Sequence, residues 1–192
     1  MVGVFYFKII YYTFKKNIMS KVKISTPKGD MIAELYDDAT PITVKNFLDL
    51  IHKGFYNGLN FHRVIPGFVI QGGCPNGTGA GGPGYTIPCE VKAPQQYHDK
   101  GVLSMAHAGR DTGGSQFFIC HNRQNTQHLD GNHTCFGRVV EGLDIIDQIA
   151  QGDKIDSIEV IWHYHFFWLL FQHKIFYYEK NDYWPSSLWD WI

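Results

Sequence analysis

Residues 61–73 read FHRVIPGFVIQGG, an apolar stretch interrupted in its middle by a proline and a glycine. Pro66-Gly67 is a pair typical of tight turns, so we predict two short strands with the turn between them. Arg63 lies within the first strand among apolar neighbours. In an alternating strand it shares a face with Phe61, and a buried or half-buried arginine is unusual unless it is paired or functional. Arg63 is therefore either a core salt-bridge partner or a functional residue.

Further short strands are predicted on both sides of this stretch. Residues 21–26 and 31–36 alternate polar and apolar side chains around a Pro-Lys-Gly-Asp turn, a pattern that indicates a β-hairpin. Later apolar stretches of strand length are residues 101–106, 115–120, 134–140 and 155–161.

Two helices separate the strands into groups. Thr40-Pro41 is a typical helix start, with Thr40 as N-cap, and the apolar residues that follow have helical spacing up to Gly54. Residues 141–150 are predicted as a second, short helix. Many short strands with two helices set apart, rather than alternating strands and helices, favour an antiparallel sheet closed as a β-barrel, with helices covering its open ends.

Composition limits the classes of function. The 192 residues suit one domain with appendages, at about 100–200 residues per domain. With 17 basic and 18 acidic residues, a strongly basic nucleic-acid-binding protein is disfavoured. Four cysteines without a Cys-x-x-Cys pair indicate reduced thiols and a cytoplasmic location.

The aromatic residues are concentrated at the two ends of the chain. Residues 1–19 and 162–192 hold 19 of the 30 aromatic side chains, including all five tryptophans. We therefore divide the chain into an N-terminal extension (1–19), a globular domain (20–161) and a C-terminal tail (162–192). Charged and polar residues interrupt both ends, so neither is predicted to span a membrane. Both ends are either dispensable sequence outside the domain or tails that bind a membrane interface or a partner.

The sequence lacks complete motifs for three common kinds of site: a phosphate-binding loop, a zinc site and a serine-hydrolase active site. The glycine-rich residues 72–84 lack the Lys-Ser/Thr and the following helix of a phosphate-binding loop. His128 and His133 have a zinc-like spacing, but no matching cysteine pair precedes them. Ser115 is not in a Gly-x-Ser-x-Gly elbow, which disfavours a serine hydrolase. We expect neither a metal ion nor a cofactor.

Four segments together resemble the cyclophilins, which are peptidyl-prolyl cis–trans isomerases. They are residues 61–73, MAHAG at 105–109, GGSQFFI at 113–119 and HLDGNHTCFG at 128–137. The resemblance covers about residues 22–161 and is similar to the shorter members of the family. It implies an eight-stranded antiparallel closed β-barrel with a helix at each end, acting on proline-containing peptides and flexible protein segments as a monomer.

The resemblance also implies the site. Arg63 would be the principal catalytic group, and Gln116 would orient it and contact the substrate carbonyl. The walls of the proline pocket would be Phe68, Val69, Phe118, Leu129 and His133. The flanking and backbone-binding positions would be His62, Gln71, Gly79, Ala106, His107, Ala108 and His128.

Three positions depart from the commonest family pattern. His128 replaces a tryptophan associated with cyclosporin-type cyclic peptides, so we expect weak binding of such peptides. His107 replaces an asparagine, and Val69 replaces a methionine and should loosen one side of the pocket. Besides an isomerase, the same residues could serve a proline-peptide-binding module without activity, or a protein whose C-terminal tail dominates its function. Retention of Arg63 favours the isomerase.

Overall fold

The structure, a computed structural model, describes residues 19–161. The predicted terminal extension and tail lie outside these residues, apart from Met19. The eight strands are β1 (Lys21–Thr26), β2 (Gly29–Leu35), β3 (Arg63–Ile65), β4 (Val69–Gly72), β5 (Val102–Met105), β6 (Phe117–Cys120), β7 (Cys135–Glu141) and β8 (Ser157–Ile161).

The strands form one antiparallel sheet in the order β3-β4-β6-β5-β7-β2-β1-β8. This confirms the predicted mainly β, eight-stranded fold. Full closure was too strong a prediction, because within residues 19–161 no ladder joins the edge strands β3 and β8. Instead, the irregular segment before β3 bonds to the segment before β8, with Gly58 N donating to Ile155 O and Ile155 N donating to Leu59 O.

Helix α1 (Pro41–His52) follows β2 and confirms the predicted helix. Thr40 occupies the N-cap position, but its side chain caps no helix N–H group, contrary to the prediction. The carboxylate of Glu90 does this instead and accepts hydrogen bonds from the backbone N–H groups of Ile42 (3.2 Å) and Thr43 (2.8 Å). A negative group at this end also suits the helix dipole.

The remaining helices are short. Helix α2 (Arg123–Thr126) leads into a single 3-10 turn (Gln127–Leu129), and helix α3 covers only Leu143–Ile146. The helix predicted over residues 141–150 is thus too long. Its first residue still belongs to β7, and Gly142, with φ of 76°, separates strand from helix.

Strand β6 lies between the main core and a second, smaller apolar cluster. Phe117 is fully buried and packs edge-on against Phe47 and Tyr56 in the main core. The next residue, Phe118, belongs to a second apolar cluster with Val69. Because successive side chains of a strand point to opposite faces, one short strand contributes to both clusters.

Candidate active site

One cavity of about 780 Å³ contains most of the residues that the sequence singled out. Twelve of the fourteen line it: Arg63, Phe68, Val69, Gln71, Gly79, Ala106, His107, Ala108, Gln116, Phe118, Leu129 and His133. The cavity continues from an apolar end, around Phe118, to a groove beside the glycine-rich segment 79–86.

Strands β4 and β6 form the apolar end of the cavity. They pair Gln71 with Phe118 and Val69 with Cys120. Val69 and Phe118 are almost fully buried, and Phe68 and Leu129 pack against the same cluster. The ladder of the sheet fixes the positions of Val69 and Phe118, and with Phe68 and Leu129 they give a preformed slot suited to one apolar ring.

Arg63 stands at the edge of this slot and is exposed, so the prediction of a buried or half-buried side chain was wrong. Phe61 is fully buried while Arg63 faces the cavity, because β3 begins only at Arg63 and lies at the edge of the sheet. Among the described residues, no carboxylate lies within ion-pair distance of Arg63, which also argues against a core salt bridge. Its guanidinium carbon lies 6.0 Å from the centre of the Phe68 ring.

Two glutamines, Gln71 and Gln116, form a hydrogen-bonded chain that begins at Arg63. Arg63 Nη1 donates to Gln71 Oε1 (3.2 Å), and Gln71 Nε2 donates to Gln116 Oε1 (3.1 Å). Gln116 Nε2 then donates to the carbonyl groups of Gly79 (2.8 Å) and Gly81 (2.9 Å). Gln116 therefore reaches Arg63 through Gln71, and any orientation of Arg63 by Gln116 would pass through this intermediate amide.

Two histidines stack at the side of the slot. The rings of His107 and His133 are 4.1 Å apart and nearly parallel. Backbone carbonyl groups can only accept, so His133 Nδ1 donates to Met105 O (3.0 Å) and His107 Nε2 donates to Asn132 O (2.9 Å). Burial, partly opposed by the bond to Met105, lowers the pKa of His133, and the neighbouring His107 lowers it further. A neutral His133 therefore lines the cavity at neutral pH.

A fully buried histidine supports the slot from behind, and sequence reasoning missed it. The ring of His98 stacks on Phe118 with centroids 5.8 Å apart. Its Nδ1 donates to Asp130 (2.9 Å), and its Nε2 lies 2.9 Å from Ser104 Oγ. Burial lowers the pKa of His98. Although burial opposes it, the hydrogen bonds from Arg123 and His98 lower the pKa of Asp130 to about 2.

The other predicted residues, His62 and His128, lie outside the cavity lining. His62 lies behind the glycine-rich segment 79–86. A Cβ built on Gly79 would be 3.5 Å from the ring of His62. Neither ring nitrogen of His62 has a hydrogen-bond partner among the described residues. Burial and the nearby charge of Arg63 lower its pKa. His128 is exposed and stacks on the ring of Phe68, 5.7 Å away, so it contacts the pocket wall from outside.

Sequence reasoning also missed the far end of the groove. It is lined by Pro83, Tyr85, Thr86 and Thr112. Tyr85 is the one signal that the sequence offered, a single aromatic residue at the end of a glycine-rich loop. Within residues 19–161, no three His, Cys, Asp or Glu side chains come together in a way that could hold a metal ion. No helix in that range is long and apolar enough to cross a membrane.

Comparison with known proteins gives a family match over the described domain. A family profile described as cyclophilin type peptidyl-prolyl cis-trans isomerase/CLD matches residues 21–161. A peptidyl-prolyl cis-trans isomerase of Helicobacter pylori is 53% identical over 152 residues, which are 77% of this chain and 92% of the relative. Peptidyl-prolyl cis-trans isomerase B of Bacillus subtilis is 58% identical over 127 residues, 66% of this chain and 87% of the relative.

Solved structures agree with these sequence matches. A cyclophilin type peptidyl-prolyl cis-trans isomerase of Cryptosporidium parvum has a TM-score of 0.70 at 33% identity, covering 76% of this chain and 99% of that chain. A second structure, described as the same protein in the presence of the dipeptide Ala-Pro, has a TM-score of 0.64 at 35% identity, covering 74% and 98%.

Proposed function

The chain belongs to the cyclophilin-type peptidyl-prolyl cis–trans isomerases, enzymes that accelerate rotation about X–Pro peptide bonds, and on that premise we propose that Arg63 promotes this rotation in the cavity described above.

The reaction requires no bond to be broken. Rotation about a peptide bond is opposed by a resonance barrier of about 18–20 kcal/mol. The cis and trans forms of X–Pro differ by only about 0.5–1 kcal/mol, so the enzyme has a kinetic task. A donor directed at the prolyl nitrogen favours the pyramidal, non-conjugated form, and a donor on the carbonyl oxygen holds the rotating group. An acceleration of 10⁵-fold would take roughly 7 kcal/mol of differential stabilisation.

Arg63 is suited to supply these donors. Its guanidinium is permanently charged and carries five N–H groups in a rigid plane. Gln71 accepts a hydrogen bond from Nη1, and this leaves further N–H groups that can face a substrate at the rim of the apolar slot. Such preorganised donors act without reorganisation when the amide twists. Their position beside the slot is the single observation that supports this role most strongly.

The apolar end of the cavity would hold the proline ring. Phe118 and Val69 provide rigid walls, while the neutral His133 closes one side without adding a charge. The Cryptosporidium relative described in the presence of Ala-Pro supports a proline-containing peptide as ligand. The main chain at Ala106 and the groove along Gly79 and Ala108 would then contact the peptide on either side of the proline.

The test measures exchange between the cis and trans forms of a short Ala-Pro peptide by NMR, with the full chain present in catalytic amounts. Uncatalysed exchange takes tens to hundreds of seconds, and we expect the added chain to accelerate it by orders of magnitude. A folded chain that binds the peptide but leaves its exchange rate unchanged would contradict catalysis and favour a binding module.

We further place the protein in the cytoplasm as a monomer. The four cysteines form no disulfides with one another, and three of them are buried, as expected for thiols in a reducing compartment. Cell fractionation would check the location, and light scattering of the purified chain would check the oligomeric state. Recovery in an oxidising compartment or a dimeric mass would overturn the respective assignment.

A further inference from the structure

The groove beside the proline pocket has two walls, and one buried side chain is hydrogen-bonded to both. One wall is the exposed glycine-rich segment 79–86, and the other is formed by residues 112–116. Asn46, on helix α1, lies behind both walls and is only 7% exposed. It does not line the cavity itself.

The amide of Asn46 uses both of its ends. Its Oδ1 accepts a hydrogen bond of 2.7 Å from the hydroxyl of Tyr85, at the end of the loop wall. Its Nδ2 donates a bond of 2.7 Å to the carbonyl of Gly114, in the opposite wall. The bond to Gly114 fixes the orientation of this buried amide, because a flipped amide would place Oδ1 against a carbonyl oxygen that can only accept.

The two walls also touch directly at Gly114. A Cβ at this glycine would lie 2.8 Å from Pro83 Cδ and 3.2 Å from Tyr85 O, so the loop packs on the bare backbone. Elsewhere the loop has few attachments. Gln116 binds the carbonyl groups of Gly79 and Gly81, and Ile87 N donates to Gly113 O after the loop has ended. The bond from Tyr85 to Asn46 thus fastens the end of the loop that Gln116 does not reach.

We propose that Asn46 is a positioning residue which, through Tyr85 and Gly114, fixes the width of this groove and so sets the affinity for substrate residues that flank the X–Pro bond. The inference rests on the proposed function, since it assigns the groove to the same peptide. It predicts that the Asn46–Tyr85 pair acts on peptide binding and leaves the twisting of the amide to Arg63.

The experiment compares two peptides that share one Ala-Pro bond. One is a capped dipeptide that fills only the proline pocket, and the other extends on both sides. KM and kcat are measured for the full chain with Tyr85→Phe, which removes only the hydroxyl. We expect KM for the long peptide to rise roughly 2- to 10-fold, the effect of one hydrogen bond, with kcat unchanged. The capped dipeptide should show no change.

Two further variants separate positioning from simple loss of stability. Tyr97→Phe removes the same hydroxyl from an exposed tyrosine outside the cavity lining and should change neither peptide. Asn46→Ala should raise KM for the long peptide at least as much as Tyr85→Phe does. The double variant should add little, because both changes break one connection.

Several results would overturn the inference. An unchanged KM for the long peptide in Tyr85→Phe would do so, as would equal changes for the two peptides, or a fully additive double variant. If the wild-type chain itself failed to accelerate exchange, the proposed function would fail at that step. The same variants would then be compared by the dissociation constants of the two peptides, which test the groove independently of catalysis.

Discussion

The strand wall and the loop wall of the cavity are built in different ways. The strand wall consists of buried side chains such as Val69 and Phe118, which hydrogen-bonded strands hold in place. The loop wall, residues 79–86, is largely exposed and is held by side-chain hydrogen bonds. Gln116 donates to the carbonyl groups of Gly79 and Gly81, Asn76 donates to that of Ala80, and the hydroxyl of Tyr85 donates to Asn46. A rigid wall suits the one feature common to all substrates, the proline ring. A wall held by side-chain hydrogen bonds rather than by strand pairing suits the flanking residues, which vary.

The largest effect is expected at Arg63. Arg63→Ala should lower turnover by orders of magnitude, because it removes the donors that stabilise the twisted amide. The free energy of unfolding should barely change, since the side chain is exposed. Arg63→Lys is the matched control, because it keeps the charge but loses the planar fork. Its turnover, measured by the same NMR exchange assay, should remain well below that of the wild type. Full turnover in either folded variant would contradict the mechanism.

Phe117 and Phe118 are neighbours on β6, but the first lies in the main core and the second in the proline pocket. Substitutions at the two positions therefore compare core and pocket on one strand. Phe118→Leu should reduce turnover at least tenfold, since Phe118 lines the proline pocket. Phe117→Leu removes the same atoms from the main core and should leave turnover nearly unchanged. Each should cost about 1–3 kcal/mol of unfolding free energy in urea titrations. Equal turnover in the two variants would show that Phe118 acts only through stability.

Gln71 lies on the strand wall and is linked to the loop wall through Gln116, so its loss should have an intermediate effect. Gln71→Leu removes the acceptor for Arg63 and the donor to Gln116. We expect kcat to fall about tenfold, within the range for one or two lost hydrogen bonds. Gln71→Glu retains an acceptor for Arg63 and should restore most of kcat. If the two variants behaved alike, Gln71 would not act by orienting Arg63.

The smallest effect is expected from lowering the pH, which should destabilise the fold. Burial lowers the pKa values of His98 and His133, both of which contact Phe118, and also those of His62 and His121. Below the ordinary histidine value of 6.5, the unfolded chain therefore takes up protons that the folded chain resists. The unfolding midpoint should fall by several degrees from pH 7 to pH 5, as followed by circular dichroism. A midpoint that rose or stayed level would contradict this assignment.

The same acidification should weaken substrate binding. Protonation of His133 places a charge in the wall of an apolar slot, so KM should increase as the pH falls below the ordinary histidine value of 6.5, while kcat changes less. His107 contributes to the low pKa of His133, so His107→Asn should move this increase in KM to a higher pH. A KM that is flat between pH 5 and pH 8 would exclude His133 from the pocket wall.

Local patterns predicted the elements well but missed long-range partners. The start of α1 was read from Thr40-Pro41, yet its cap is Glu90, which lies 47 residues from Thr43 in the sequence. The exposure of Arg63 was missed for a similar reason. Its strand lies at the edge of the sheet, and this position depends on pairing between distant segments.

The candidate site followed from the family resemblance more than from any pattern. That resemblance located the residues around Arg63 and Phe118. It did not provide the order of the hydrogen bonds, in which Gln71 lies between Arg63 and Gln116. The hydrogen bond between Asn46 and Tyr85, which lies behind the groove, was also missed. The two residues are 39 positions apart in the sequence and belong to unrelated elements.

The most direct test of the central claim separates binding from rotation in one experiment. The Ala-Pro peptide is titrated with the wild-type chain and with Arg63→Ala, and NMR line shapes give both the dissociation constant and the rate at which bound cis and trans forms interconvert. We predict dissociation constants within a few-fold of each other, with rapid interconversion only on the wild-type chain. Rapid interconversion on Arg63→Ala, or a loss of binding that accounts for all of its lost activity, would contradict the claim that Arg63 stabilises the twisted amide.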